Sequence, residues 1–354
     1  MLFPLNPERL MRQKILPLTS ARSPHTPGGA NDFYSEADYW WPNPDDPNGK
    51  YINRDGMSNP ECFNRHRKLL MRMSWQVAGL TVAYLAEADR EYPVRVERIL
   101  RVWLLDGDTA MNPHLNYAQA IRNTCPGRCF GVIDTIHLAE VALSIRALRD
   151  LLPEEAVKQC RNWFEKYLAW LLDSPLSRTE RGTLNNHAVC WYMQSAAFAL
   201  LCDRTALLDE FRLDFKNILL EQIASDGSCP RELARTKPYG YSLFVLEAFA
   251  GLAALLTTPR ENFFLTAGKN GQSVAKAMEF MAPFIADRSR WKLPPDVLYR
   301  QYWPSRQSSL YLAGHFLNRP EWLELYRKLP PTPAVFEVLR NLPIRHPQLW
   351  LTGK

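Results

Sequence analysis

Residues 64–85, NRHRKLLMRMSWQVAGLTVAYL, decide the fold class. Leu69, Met73, Val77, Leu80 and Tyr84 follow one another at spacings of four, four, three and four. A period near 3.6 puts all of them on one helical face, where a strand would alternate every second residue. The pattern returns in Val157, Cys160, Phe164, Leu168 and Leu171, in Leu208, Phe211, Phe215 and Ile218, and in Leu246, Phe249, Ala253 and Leu256. Segments near 93–106, 132–149, 185–202, 271–286 and 308–328 read as helices too, and strand-like alternation is nearly absent. Links such as Ser174-Pro175 and Ser225-Asp226-Gly227 carry stop and turn signals. The result is an all-α chain of roughly ten helices in short-looped antiparallel pairs. No repeat of fixed period marks a solenoid. Periodicity leaves a bundle and a closed α/α toroid equally open.

Upstream of this pattern, residues 1–62 are rich in Pro, Gly, Asn and Asp, as in Pro42-Asn43-Pro44-Asp45-Asp46-Pro47-Asn48-Gly49. That is loop chemistry. The same stretch holds Tyr34, Tyr39, Trp40, Trp41 and Tyr51, too many aromatics for a free tail. It reads as an ordered arm laid over one helical domain spanning 1–354.

Composition narrows the function classes. Of 354 residues, 46% are hydrophobic and 23% charged, as in a globular chain rather than a disordered one. The net charge of +6 permits a polyanionic ligand but is too dilute to argue for nucleic acid. No run approaches the roughly 18 to 20 uninterrupted apolar residues that span a bilayer. The opening MLFPLNPERLMRQKILPLTS lacks a continuous apolar stretch and a small-residue cleavage site. A cytoplasmic location is expected if Met1 is the native start, and a periplasmic or secreted one if a leader was removed. The seven cysteines are an odd count without framework spacing. Cys125-Pro-Gly-Arg-Cys129 can be a metal corner, but no second Cys/His pair sits at zinc-finger spacing, so free thiols are expected.

Polar clusters interrupt the helical pattern. Tyr39-Trp40-Trp41-Pro42 precedes Arg54-Asp55-Gly56, and Asn112-Pro-His114-Leu-Asn116-Tyr117-Ala-Gln119 stands alone. Asn185-Asn186-His187 opens one helix, and Arg231-Glu232-Leu-Ala-Arg235-Thr-Lys237-Pro-Tyr239-Gly-Tyr241 precedes another. Each has a plain structural reading: Asn185 or Asn186 as a helix cap, His187 as a hydrogen-bonded structural residue, Arg235 and Lys237 as solvated loop charges. Together, Asn, His, Arg and Tyr supply what elimination across C4–C5 of a uronic acid requires. The C5 proton is not acidic while the neighbouring carboxylate is ionised, so Arg235 or Asn186 must hold and neutralise that group. His187 and Tyr241 can then serve as base and acid, with nearby cations favouring the phenolate. No metal or cofactor is required. No G-x-S-x-G, P-loop, G-x-G-x-x-G or H-E-x-x-H motif is present. A glycoside hydrolase using two carboxylates, with Asp106, Asp108 and Asp134 as candidates, stays open.

Several of these motifs carry a resemblance. Asp32-Phe-Tyr-Ser-Glu-Ala-Asp-Tyr-Trp-Trp-Pro-Asn-Pro, Tyr51-Ile-Asn-Arg-Asp-Gly, Met111-Asn-Pro-His-Leu-Asn-Tyr-Ala-Gln-Ala-Ile, Gly131-Val-Ile-Asp-Thr, Asn185-Asn-His and Glu232-Leu-Ala-Arg-Thr with Tyr-Gly-Tyr-Ser occur in this order between about residues 28 and 315. The chain resembles alginate lyase-domain polysaccharide lyases. The resemblance implies an incomplete α/α toroid of helical hairpins with a cleft for an acidic polysaccharide. It also implies β-elimination, with Asn186 and Arg235 neutralising the carboxylate, His187 as base or assistant, and Tyr241 as acid or as combined acid and base. Classical bacterial alginate lyases place the catalytic Tyr one residue further on, followed by His; here Ser242 follows Tyr241, and Tyr239 is a rival. The motifs look closer to a sister group that includes lyases for alginate and for β-1,4-glucuronan.

The implied substrate is a β-1,4-linked polyuronate, alginate with mannuronate-type linkages ahead of glucuronan. Tyr39, Trp40 and Trp41 can stack on sugar faces. Arg54, His114, Asn116, Tyr117, Gln119, Arg122 and Tyr239 can line subsites, with Arg300, Tyr302 and Trp303 a weaker group. Neither a nucleic-acid nor a membrane partner is expected. A hydrolase on the same fold and a non-catalytic polyuronate-binding protein remain the alternatives of another class. Oligomeric state has no signature in the sequence.

Overall fold

The computed structural model describes residues 6–352, so the ends of the expected arm and domain lie outside the described residues. The chain gathers into two compact units, within Leu5–Gly182 and within Thr183–Lys354. Each is built from the helical segments that the periodicity marks.

In the first unit, Asn6 caps α1 (Pro7–Arg12) by accepting from the backbone of Arg9 at 2.8 Å. The rest of the arm is mainly loop, with short strands β1 (Tyr34–Glu36), β2 (Trp40–Trp41) and β3 (Ile52–Asn53). Its order comes from buried polar ties. His66 accepts from the backbone N–H of Tyr34 through Nδ1 at 3.0 Å, and its Nε2 lies 2.7 Å from the carbonyl of Ala21. Arg67 reaches Asp38 at 2.6 Å and Asp134 at 3.0 Å, all three buried. Both residues sit at the start of α2 (Arg65–Glu87), the 23-residue helix of the opening motif. The arm is therefore fastened to the helical body by charge pairs that would be costly to break one-sidedly.

α3 (Glu91–Leu100) runs on through a wide turn, Arg101–Leu105, and β4 (Tyr117–Ala120) pairs in parallel with β1, Tyr34 opposite Tyr117. A tight helical stretch, Cys129–Thr135, leads into α4 (Leu138–Ala147). α5 (Glu154–Asp173) buries Cys160, Phe164, Leu168 and Leu171 on the expected face, and its two N-terminal glutamates complement the helix dipole. Ser174-Pro175 ends α5 as read from sequence. The same proline also opens α6 (Pro175–Arg181), because the N1 position needs no N–H donor.

The second unit contains α7 (Asn186–Leu201), α8 (Thr205–Asn217), the single turn α9 (Pro230–Leu233), α10 (Pro238–Leu256), α11 (Val274–Ala286), α12 (Ser308–Phe316), α13 (Pro320–Lys328) and α14 (Phe336–Arg340). α7 and α10 pack on each other and are apolar nearly all round, as helices surrounded by protein must be. By length and hydropathy α10 could cross a membrane, but all of its apolar window is buried in the protein. The segment 308–328, read as one helix, is two: Asn318 adopts φ 52°, a left-handed conformation that Asn tolerates, and Pro320 restarts the chain.

Three helices of this unit have N-termini closed by carboxylates distant in sequence. Glu232 accepts from the Asn186 N–H at 2.8 Å at the head of α7. Asp296 accepts from Tyr239 and Gly240 at 2.9 and 3.0 Å at the head of α10. Glu247 accepts from Ser308 and Ser309 at 3.1 and 2.8 Å at the head of α12. Each satisfies donors that the helix itself leaves unpaired, and each negative charge meets the positive end of a helix dipole.

Candidate functional site

The Asn-His pair and the Arg…Tyr segment belong to the second unit, and Glu232 joins them. Asn185 is the N-cap of α7: its side-chain oxygen accepts from the His187 N–H at 3.1 Å. This cap leaves Asn186 as the first helical residue, buried, and His187 half-buried beside it. The Nδ2 of Asn186 donates to Glu232 Oε2 at 2.7 Å, while its backbone N–H takes the other oxygen. Glu232 is itself buried, and burial pushes its carboxyl up from the ordinary value against the lowering pull of Asn186, Arg235 and His187.

Arg235 follows directly, its N–H bonded to the Glu232 carbonyl at 3.2 Å. Pro238 then occupies the first turn of α10, and the Tyr241 N–H returns to the Lys237 carbonyl at 2.8 Å. This turn lays the Arg235 guanidinium over the Tyr241 ring, 4.4 Å from its centre. A cation over an aromatic face is itself attractive. Here it also puts a positive charge beside the phenol of a tyrosine that is buried at 7% exposure.

Tyr239, taken from sequence as a subsite residue and as rival to Tyr241, lies in the core. It has no exposed surface, its hydroxyl donates to the Phe284 carbonyl at 3.0 Å, and its ring packs edge-on against Trp291 at 5.1 Å. Residues two apart at the start of a helix point in different directions, and Tyr241, though buried, keeps the small exposure that Tyr239 lacks. Trp303, of the weaker C-terminal group, is also buried, while Tyr302 is exposed.

The aromatic arm belongs to the first unit. Trp40 and Trp41 form β2, paired antiparallel with β3, and both are half-buried, as is Tyr39. The Trp41 indole donates to the Met57 carbonyl at 2.8 Å, and the exposed Arg54 lies over its ring at 5.4 Å. Arg128 sits 5.9 Å from the Trp40 ring centre, and the Trp40 Nε1 is buried without an acceptor. Half-buried His114 contacts Asp32 at 3.2 Å and stacks edge-on to Tyr117. Asn116 is exposed and accepts from the Trp170 indole at 2.9 Å.

Gln119 is committed internally, and half-buried Arg122 is paired with Glu36. Gln119 donates to Asp134 at 3.1 Å and accepts from Arg128 at 2.7 Å, at 7% exposure. Arg122 clasps buried Glu36 through two bonds of 3.0 and 2.7 Å and reaches the Glu61 carbonyl at 2.9 Å. Asp134, a carboxylate candidate for hydrolysis, accepts from Ser35, Arg67 and Gln119 in the same buried cluster and has no open face. Asp106 and Asp108 are exposed.

All seven cysteines are free thiols, Cys125 and Cys129 included. Among the described residues no three His, Cys, Asp or Glu side chains gather as a metal site. Sequence reasoning gave Glu232 no role although its motif was in view. The available signal was an acid three residues ahead of Arg235 in a segment otherwise unsuited to a lone buried charge. Asp296 carries no comparable signal.

Comparison with known proteins places the fold and the family. The sequence matches the Alginate lyase family profile over residues 17–291. The structure is similar to that of an alginate lyase from Bacteroides ovatus, with 27% identity, TM-score 0.82 and coverage of 96% of this chain and 90% of that one. Alginate lyase A1-III from Sphingomonas species A1 superposes at TM-score 0.54 with 13% identity, covering 89% of this chain and 86% of that one. A histidine-to-alanine variant of A1-III complexed with tetrasaccharide superposes at TM-score 0.59, with 13% identity and coverage of 90% and 84%. No curated protein matches the sequence. The helical fold is thus that of the A1-III structures, an α/α toroid, the class that periodicity left open. Matched over most of its length, the chain belongs to the alginate lyase family and is a polysaccharide lyase.

Proposed function

We propose that the protein cleaves β-1,4-linked polyuronate by β-elimination, with mannuronate-type linkages of alginate preferred. The observation that carries this reading is the Arg235 guanidinium 4.4 Å from the Tyr241 ring, in a segment tied through Glu232 to Asn186. Arg235 and Asn186 hold and neutralise the uronate carboxylate, so that charge developing at C5 spreads into it as an enolate. Tyr241, as phenolate, takes the C5 proton. The C5–H electrons form the C4=C5 double bond, and the C4–O4 bond breaks. The same tyrosine returns its proton to the departing O4, leaving an unsaturated uronate on one fragment and a hydroxyl on the other. His187 assists by holding Tyr241 in its ionised form.

One tyrosine acting as base and acid suits syn elimination. Mannuronate and glucuronate share the configuration at C4 and C5 that needs it, whereas guluronate, inverted at C5, needs groups on opposite faces. Alginate is placed ahead of glucuronan because the similar solved structures are named alginate lyases. A1-III was also solved with tetrasaccharide both as a histidine-to-alanine and as a tyrosine-to-phenylalanine variant, the residue types assigned here to His187 and Tyr241. Within the first unit, half-buried Tyr39, Trp40 and Trp41, with Arg54 over Trp41, are of the residue types that stack on sugar faces.

The test is ultraviolet absorbance of the unsaturated product on polymannuronate, polyguluronate and glucuronan side by side, with a chelator present. Absorbance is expected to rise fastest on polymannuronate. A faster rise on glucuronan would reassign the substrate. A flat trace on all three with new reducing ends would make the protein a hydrolase, and saturable binding without turnover would make it a binding protein.

A further inference from the structure

Glu232 lies behind the groups assigned to substrate. Its exposure is 2%, and both of its oxygens accept from Asn186, one from the backbone and one from the side-chain nitrogen. An ionised carboxylate has no donor, so only the nitrogen end of the Asn186 amide can face it. Asparagine amides otherwise turn end for end at little cost where solvent supplies both partners. The carboxylate therefore decides which end of this amide faces inward. Three residues on, Arg235 hangs from the Glu232 carbonyl at 3.2 Å. One residue thus sets the orientation of Asn186 with its side chain and the start of the Arg235 segment with its backbone.

We propose that Glu232 is a positioning residue of the elimination site, fixing the amide of Asn186 and holding it in register with Arg235. This rests on the polyuronate-lyase reading given above. Glu232 does not touch substrate. Both of its oxygens are taken up by Asn186, and burial raises its pKa against the lowering pull of Asn186 and Arg235. It works through the direction in which Asn186 offers its second N–H.

Glu232→Gln separates orientation from folding. Glutamine has nearly the same shape and can keep both hydrogen bonds, its oxygen accepting from the Asn186 N–H and its nitrogen donating to Oδ1. That pairing requires the Asn186 amide to turn over. A merely structural role predicts full rescue by Gln. Positioning predicts a retained fold with kcat lower by about tenfold or more, since coupling within one hydrogen-bond network reaches that size. KM should stay within about threefold, because Arg235 still binds the carboxylate.

The cycle is completed with Asn186→Ala. In that background Glu232→Gln should change kcat no further, having lost the amide through which it acts. Wild-type kcat in Glu232→Gln, or an undiminished loss on top of Asn186→Ala, would overturn the proposal. Elimination unaffected by Asn186→Ala alone would instead show that the polyuronate reading of this site is wrong, and the positioning role would fall with it. If the Gln variant does not fold, Glu232→Asp carries the same cycle: it keeps the charge and both oxygens but falls one methylene short.

Discussion

The guanidinium of Arg235 lies face-on to Tyr241, 4.4 Å from the ring centre, and both residues are held by the first turn of α10 and the loop before it. A fixed cation beside a phenol can stabilise a phenolate or meet an incoming carboxylate, and elimination from a uronate calls on both.

Tyr241→Phe keeps the ring beneath Arg235 and removes only the transferable proton. Formation of unsaturated uronate should fall by about a hundredfold or more, the scale of losing a positioned acid–base group. Oligosaccharide affinity, measured by calorimetry, should stay within a few-fold. Wild-type turnover would refute the scheme outright, because Tyr239 has no surface from which to replace it.

Arg235→Ala should lower kcat by about a hundredfold, the usual loss when a key charge stabiliser is removed. Arg235→Lys keeps the charge but not the forked donors that grip a carboxylate, so its activity should lie between the two. Equal melting temperatures with unequal kcat values are the expected result; a loss confined to stability would return Arg235 to a structural role.

Arg122→Ala should destabilise the protein rather than weaken substrate binding. Its removal leaves Glu36 buried with a charge that only Tyr34 and the Phe63 N–H still meet. Breaking such a pair from one side costs about 3 kcal/mol. Thermal melting and KM on the same variant decide this: a raised KM at unchanged stability would restore Arg122 to a subsite.

Asp296→Ala should loosen the head of α10, leaving the N–H groups of Tyr239 and Gly240 without their acceptor. The loss of such a cap is worth about 1–2 kcal/mol. Gly240→Ala attacks the same contact, because a Cβ there would sit 2.9 Å from an Asp296 oxygen and 3.0 Å from the Trp303 indole nitrogen. Both variants should melt earlier than wild type by differential scanning calorimetry, and unchanged melting in both would contradict the cap.

Glu337 gives the stability a pH dependence. Burial opposes its ionisation, yet Arg340 and Lys237 outweigh burial and hold the carboxyl well below the usual carboxylate range. Its folded pKa is therefore depressed, so its contribution is complete above the unfolded value of about 4.3 and is lost as pH falls below that. Lys237, its partner at 3.0 Å, has its own pKa lowered by burial and keeps its proton through the acid range. Melting temperature should drop more steeply from about pH 4.5 to 2 in wild type than in Glu337→Gln. Parallel acid limbs would remove Glu337 from the account.

Much of the fold was legible because helical periodicity is local. The face carrying Leu69, Met73 and Val77 is buried in α2, and Asn185 caps α7 through its own side chain as its residue type suggests. Helix ends were less legible, since a proline such as Pro175 stops one helix and starts the next with the same restriction on φ. Among the site residues, motif order brought Asn186, His187, Arg235 and Tyr241 into view. It put Tyr241 ahead of Tyr239 but kept the second as a rival, because two tyrosines two residues apart differ mainly in what surrounds them.

By itself, then, the sequence determined the helical class, an ordered arm, and the residue types that suit elimination from a uronate, all of which follow from short-range pattern and side-chain chemistry. Only the tertiary structure decided which polar groups are available. Gln119 and Asp134 are turned inward by partners on other segments, and half-buried Arg122 is held on Glu36. Asn186 meets its carboxylate 46 residues away, and Gly240 meets Asp296 at a separation of 56. Buried donors and charges must find partners wherever the fold brings them, and no local spacing records which partner that will be.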